Sequence, residues 1–213
     1  ASLDPTYQFA YGNILGTFAQ FADYSLGRGQ DFSALVKDAE QQAKICAASC
    51  EIYPTFQRNM TFLQVSFAQY LLLKGEDPRN ALSRVRRYTA NLIKLAKPSY
   101  TTYLISSFAD YLEAEYLLEI GLDPTALTDA VIGMLPAWKA LDEQGEDPFV
   151  LEARINLIRA GWATRQKISG LPAAESARQA AELTELGLSV ITVGVCGPDY
   201  DLSAVEALCK WRG

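Results

Sequence analysis

The stretch "GEDPRNAL" (75–82) decides how this chain is read, because its first four residues return letter for letter at 145–148 and as "GLDP" at 121–124. A glycine-led turn of this kind reads either as a phosphate cradle or as helix punctuation. Gly tolerates the left-handed conformation that ends a helix. Asp caps the next helix by accepting an orphan backbone N–H. Pro suits the first helical position, where its missing N–H is not needed. "G-x-D-P" therefore reads stop, link, cap, start, and the glycines serve chain reversal.

The prolines extend this reading along the chain. They stand at 5, 54, 78, 98, 124, 136, 148, 172 and 198, and with Pro136 set aside the gaps after Pro54 are 24, 20, 26, 24, 24 and 26 residues. The long gap from Pro5 to Pro54 is split by "GQDF" (29–32), where Phe32 takes the proline's place. About nine helix starts at near-even spacing mark a repeat architecture. The predicted fold is all-α, an α-solenoid of antiparallel helix hairpins forming one domain over 1–213. Its units run about 5–53, 54–97, 98–146 and 147–197, followed by a closing helix at 199–211. The first helix of each unit is apolar over much of its surface, as in "TFLQVSFAQYLLLKG" (61–75). The second is two-faced: in 78–97, Leu82, Val85, Leu92 and Ile93 fall on one side and the charges on the other. "FADY" (21–24), "FAQY" (67–70) and "FADY" (108–111) read as repeated packing residues.

Helix pairs split by "GEDPRNAL" (75–82) and "GLDPTAL" (121–127) resemble tetratricopeptide (TPR) repeats. They resemble in particular the long-helix variety found C-terminal to the catalytic domain of some bacterial serine/threonine protein kinases. HEAT-like arrays have a similar period and stand as the structural alternative. The resemblance implies a right-handed superhelix whose first helices line a concave groove. It also implies a protein–protein interaction or regulatory scaffold role within a larger bacterial signalling protein.

Composition excludes much else. The chain has no histidine and a net charge of −6. Histidine-dependent triads and histidine-ligated metal sites are absent, and nucleic acid is an unfitting partner. No phosphate-binding loop or dinucleotide fingerprint occurs, and "QDFS" (30–33) lacks the glycine of the kinase magnesium motif. Carboxylate pairs such as Asp142 with Glu143 and Glu113 with Glu115 read as solvating charge. The expectation is thus no enzyme, no cofactor and no metal. The longest uncharged run, from Pro5 to Ala22, is too polar to span a membrane, so no membrane insertion and a cytoplasmic location are expected. The chain opens without Met or a leader-like stretch, which reads as a segment of a longer chain. Cys46 and Cys50 share one helix face, with Cys196 and Cys209 far away, and all four read as buried or idle thiols. The Asn59-Met60-Thr61 sequon falls mid-helix and reads as chance.

Two surfaces stand out as binding candidates. Helix 78–97 carries Arg79, Arg84, Arg86, Arg87, Lys94 and Lys97 and no acid, so the rest of the chain is net −12, that is −6 less these six positive charges. These six fall within an arc of about 160° and suit an acidic or phosphorylated peptide. The bland alternative is a solvated face partly neutralised by Asp110, Glu113, Glu115 and Glu119 of the following helix. The second surface is the groove that the resemblance implies, with Asn13, Arg58, Asn59, Tyr103, Arg154 and Asn156 as candidates. Asn13 and Asn156 both lie eight residues beyond a proline. The Lys and Arg pattern of a C-terminal carboxylate clamp is missing. A small-ligand sensor using an aromatic-rich groove is the second functional reading.

Overall fold

The computed structural model describes residues 7–141 and 147–165, together with Arg178. The described residues form helices and turns, with no strand. The helices are α1 (Gln8–Gly27), α2 (Ser33–Ile45), the single turn α3 (Ala47–Cys50), α4 (Pro54–Leu73), α5 (Arg79–Leu95), α6 (Tyr100–Glu119), α7 (Thr125–Lys139) and α8 (Asp147–Arg165). The expected closing helix 199–211, Cys196 and Cys209 lie outside the described residues, as does the 147–197 unit beyond Arg165 apart from Arg178.

The opening tetrapeptides at 75–78 and 121–124 are helix punctuation, while Gly145 and Glu146 of the third copy lie outside the described residues. Gly29, Gly75 and Gly121 stand 46 residues apart and have φ of 64°, 70° and 77°. The N–H of each following residue donates to a carbonyl five positions back: Gln30 to Ser25 at 2.9 Å, Glu76 to Leu71 at 2.8 Å, and Leu122 to Leu117 at 2.8 Å. This six-to-one closure is the Schellman stop. The carboxylates of Asp31, Asp77 and Asp123 then accept the N–H groups of Ser33, Arg79 and Thr125 at 2.8, 2.9 and 2.8 Å. Side-chain hydrogen bonds with Ser33, Arg79 and Thr125, and after them these backbone N–H bonds, lower the pKa of all three carboxyls. The turn uses these N–H groups internally, which leaves them unavailable for a phosphate.

The starts of α4 and α6 differ in detail. Pro54 opens α4. At α6 the cap is Ser99, one residue past the expected Pro98. Its hydroxyl accepts the Thr102 N–H at 3.4 Å while Thr102 Oγ1 accepts the Ser99 N–H at 2.7 Å. Pro136, which the spacing sets aside, lies inside α7.

The long helices keep the same 46-residue spacing: α1, α4 and α6 each have 20 residues, beginning at 8, 54 and 100. Ala22, Ala68 and Ala114 occupy equivalent positions and are 0% exposed. A residue this small is what a close interhelical approach needs. Two residues on come Tyr24, Tyr70 and Tyr116, with Trp162 at the same step in α8. This register corrects one expectation. The equivalent of "FADY" (21–24) and "FAQY" (67–70) is "EAEY" (113–116), and "FADY" at 108–111 sits five positions early. The first copy is also less packed than expected, with Phe21 and Tyr24 about half exposed.

Along the chain α1, α4, α6 and α8 are successive neighbours, while α2, α5 and α7 each pack on the two long helices flanking them in sequence. Equivalent positions of these second helices are buried: Val36, Leu82 and Thr128; Ala39, Val85 and Val131; Cys46, Leu92 and Trp138. The core lies in two clusters that share α4, one around Tyr11, Leu15, Met60 and Leu63 and one around Leu82, Ile105, Trp138 and Ile155. No helix among the described residues is long and apolar enough to cross a membrane.

The first hairpin departs from the others after α2. Cys46 and Cys50 are buried as expected, but they are joined in a disulfide with a Cα–Cα distance of 5.5 Å. The four-residue spacing brings the two side chains together on one face, and 5.5 Å lies within disulfide reach. The expectation of free thiols is corrected at this pair.

Candidate functional site

Three of the six basic residues of 78–97, Arg79, Arg84 and Arg86, are engaged by neighbouring acids. Arg79 is held by the carboxylate of its own cap, Asp77, at 2.5 Å. Arg84 pairs with Glu40 of α2. Arg86 bridges two acids of α6, reaching Asp110 at 2.7 Å and Glu113 at 2.5 Å. Burial opposes the charge on Arg86, but the bonds to Asp110 and Glu113 outweigh it and hold its pKa above the ordinary value. Arg87 lies over the Tyr88 ring with its guanidinium carbon 4.8 Å from the centroid. Lys94 and Lys97 are exposed. The neutralised-face alternative therefore describes Arg86, and Glu40 extends it to a partner on α2.

The groove candidates divide. Asn13, Arg58 and Asn59 come together in a cleft of about 780 Å³ between α1 and α4. Thr17, Gln20 and Asp23 of α1 and Thr55, Phe62 and Ser66 of α4 complete its walls. Gly12 and Gly16 set the approach of the two helices. A Cβ on Gly12 would stand 2.7 Å from the Tyr53 ring, and one on Gly16 would stand 3.1 Å from the Asn59 amide. Asn59 is 8% exposed and its amide N–H donates to the Gly12 carbonyl at 2.9 Å, so it pins the two helices and forms the floor. Arg58 is exposed and enters no ion pair among the described residues. It also borders a second cleft of about 180 Å³ toward α6, lined by Ser99, Thr101 and Thr102. Arg58 thus stands where the two clefts meet.

The other three candidates lie elsewhere. Tyr103 is half-buried against the second core cluster. Asn156 is 4% exposed and donates to the Glu152 carbonyl at 3.0 Å within its own helix. Arg154 lines a separate cleft of about 490 Å³ with Leu73, Tyr111 and Glu119. The proline offset that pairs Asn13 with Asn156 is misleading, because Asn13 is 46 residues from Asn59 and shares its helix position. Thr17, Gln20 and Asp23 escaped the sequence reading. Their signal was a polar stripe at helical spacing from Asn13, on a helix otherwise apolar. Among the described residues no group of three acids or cysteines could hold a metal ion.

Comparison of the chain with protein-family models, with curated proteins and with solved structures finds no match.

Proposed function

We propose that this chain is a helical-repeat interaction domain, an α-solenoid of TPR-like hairpins that binds a peptide segment of a partner protein. The 46-residue recurrence of the Gly-Asp turn supports the repeat reading, and the acid-paired arginines of α5, Arg79, Arg84 and Arg86, turn attention from that helix to the α1–α4 cleft. The observation that carries the proposal is the α1–α4 cleft with Arg58 at its edge, exposed and in no ion pair. An unpaired guanidinium beside exposed amides and hydroxyls suits a carboxylate or phosphorylated side chain of an extended peptide. The binding step makes and breaks no covalent bond.

The disulfide bears on location. Buried disulfides persist where the surroundings are oxidising and are rare in the cytosol. The reading favoured here is a domain facing an oxidising compartment, in place of the cytoplasm expected from the sequence.

The test is selection of displayed peptides on the wild-type chain, followed by binding to Arg58→Glu. Peptides bearing Asp, Glu or phosphoserine at one recurring position should bind wild type and lose at least tenfold on the variant. Equal binding to both proteins would move the docking surface away from this cleft.

A further inference from the structure

The 46-residue register reveals what covers one face of the long helices. On α4, Phe67 and Tyr70 lie under the turn that opens α2: the Phe32 centroid stands 6.1 Å from that of Phe67 and 5.2 Å from that of Tyr70. Phe32 is 3% exposed and Tyr70 7%. The Tyr70 pKa is raised, by burial first and then by the Asp31 carboxylate beside its hydroxyl. Lys74 completes the group, its ammonium 5.5 Å from the Tyr70 centroid. On α6 the equivalent residue is Tyr116, and it meets the next turn in the same way. The Arg79 guanidinium carbon stands 5.4 Å from its ring centroid. The Asp77 carboxyl is held below its ordinary pKa by Arg79 first and also by the Tyr116 hydroxyl. Each of these two tyrosines thus meets the Asp of a Gly-x-Asp turn from the hairpin before it.

On α1 the same receiving residues are present and open. Phe21, Tyr24 and Arg28 are the equivalents of Phe67, Tyr70 and Lys74. The Arg28 guanidinium carbon stands 4.5 Å from the Tyr24 centroid, as Lys74 stands over Tyr70. The Phe21 and Tyr24 centroids are 6.4 Å apart, yet Phe21 is 54% exposed and Tyr24 53%. Arg28 is exposed and enters no ion pair among the described residues. Two neighbouring rings with a hydroxyl and a cation at their edge lack what their equivalents on α4 have, a ring and a carboxylate adjacent in sequence. A second copy of this chain offers no free turn of this kind among the described residues. Phe32, Pro78 and Pro124, which follow Asp31, Asp77 and Asp123, are all buried, and Asp147 accepts the Tyr100 hydroxyl at 2.7 Å.

We propose that Phe21, Tyr24 and Arg28 form a socket for the Gly-x-Asp-Phe or Gly-x-Asp-Pro turn of a helical hairpin on a partner protein. The partner's Phe or Pro ring packs on Phe21 and Tyr24. Its Asp carboxylate accepts the Tyr24 hydroxyl and pairs with Arg28. Rings with an apolar body and a polar tip suit such an interface. None of the three residues lines the Arg58 cleft, and the ligand is the start of a helix rather than an extended peptide. The socket therefore stands or falls independently of peptide docking.

The test is an NMR titration of the full chain with the synthetic peptide GQDFSALVKDAEQQAKI, a copy of residues 29–45. Taken to about 2 mM, it reads dissociation constants into the millimolar range. This peptide carries the turn that covers Phe67 and Tyr70. Amide signals around Phe21, Tyr24 and Arg28 should shift. Tyr24→Ala, an exposed change that leaves the fold intact, should weaken binding roughly tenfold or more. Tyr24→Phe removes only the hydroxyl and should weaken it about tenfold, while a peptide carrying Asp31→Ala should bind Tyr24→Phe and wild type alike. Arg58→Glu should bind the peptide as wild type does, which separates this socket from the Arg58 cleft. The proposal is overturned if those signals do not move, if Tyr24→Ala binds as wild type does, or if Tyr24→Phe loses no affinity for the unaltered peptide. It is equally overturned if ultracentrifugation finds the chain self-associated through this face, with the association lost in Tyr24→Glu.

Discussion

Replacing Gly75 by Ala isolates the conformational term of the recurring turn. Gly75 has φ +70°, and a Cβ placed there meets nothing within 4 Å. No clash or lost contact contributes, so the cost is that of holding an L-residue in the left-handed region, about 1–2 kcal/mol. The stiffer unfolded chain returns about 0.4–1 kcal/mol, which leaves a net loss near 1 kcal/mol. Gly133 is the internal control, because it sits in α7 with helical φ and its Cβ also meets open space. There Ala should stabilise by about 0.5–1 kcal/mol through helix propensity. A chain of this size shifts by about 2–4 °C per kcal/mol. In thermal melts followed by circular dichroism at 222 nm, Gly75→Ala should therefore fall by about 2–4 °C while Gly133→Ala rises by about 1–4 °C. Gly75→Asn should recover part of the loss, since Asn visits this region more readily. A Gly75→Ala variant that melts as high as Gly133→Ala would refute the left-handed turn, and with it the argument that the three G-x-D turns share one geometry.

Other outcomes follow from the same structure. The carboxyls of Asp31, Asp77 and Asp123 have folded pKa values below the unfolded value, so their stabilisation is fully present above about pH 5 and lost as pH falls through 4 and below. An acid melt of the Asp31→Asn/Asp77→Asn/Asp123→Asn variant should be visibly flatter than wild type in that window. Leu82 is 0% exposed and Leu73 is 62% exposed. Leu82→Ala should cost about 2–5 kcal/mol in urea unfolding, and Leu73→Ala less than about 0.5 kcal/mol. Reducing the Cys46–Cys50 bond should lower stability by about 2 kcal/mol on the loop-entropy account, and without reductant neither of these two cysteines should take an alkylating label in the unfolded chain.

Much of the fold was legible in the sequence because its signals are local. Gly, Asp and Pro act within five residues of themselves, so the spacing of G-x-D-P placed the helix starts to within a residue or two. Where the side-chain chemistry differed, as at Ser99 behind Pro98, the cap moved. The apolar stripe of 78–97 named Leu82, Val85, Leu92 and Ile93 because one helix face is fixed by 3.6-residue geometry; the first three are buried, whereas Ile93, at the edge of that face, is 42% exposed. The candidate site was legible only in part. Arg84, Arg86 and Arg87 are similar residues on one helix, yet Glu40 takes the first, Asp110 and Glu113 take the second, and the third faces a cleft with its charge unpaired.

The sequence by itself determined the helical class of the described residues, the turns, and most of the buried face of α5, because those depend on backbone conformation and nearest neighbours along the chain. Only the tertiary structure decided the 46-residue register that realigns "EAEY" with "FADY", the pairing of Cys46 with Cys50, and which charges remain free. Each of these depends on distances between helices, and a side chain's partner across an interface is set by how two helices cross rather than by the residues on either side of it.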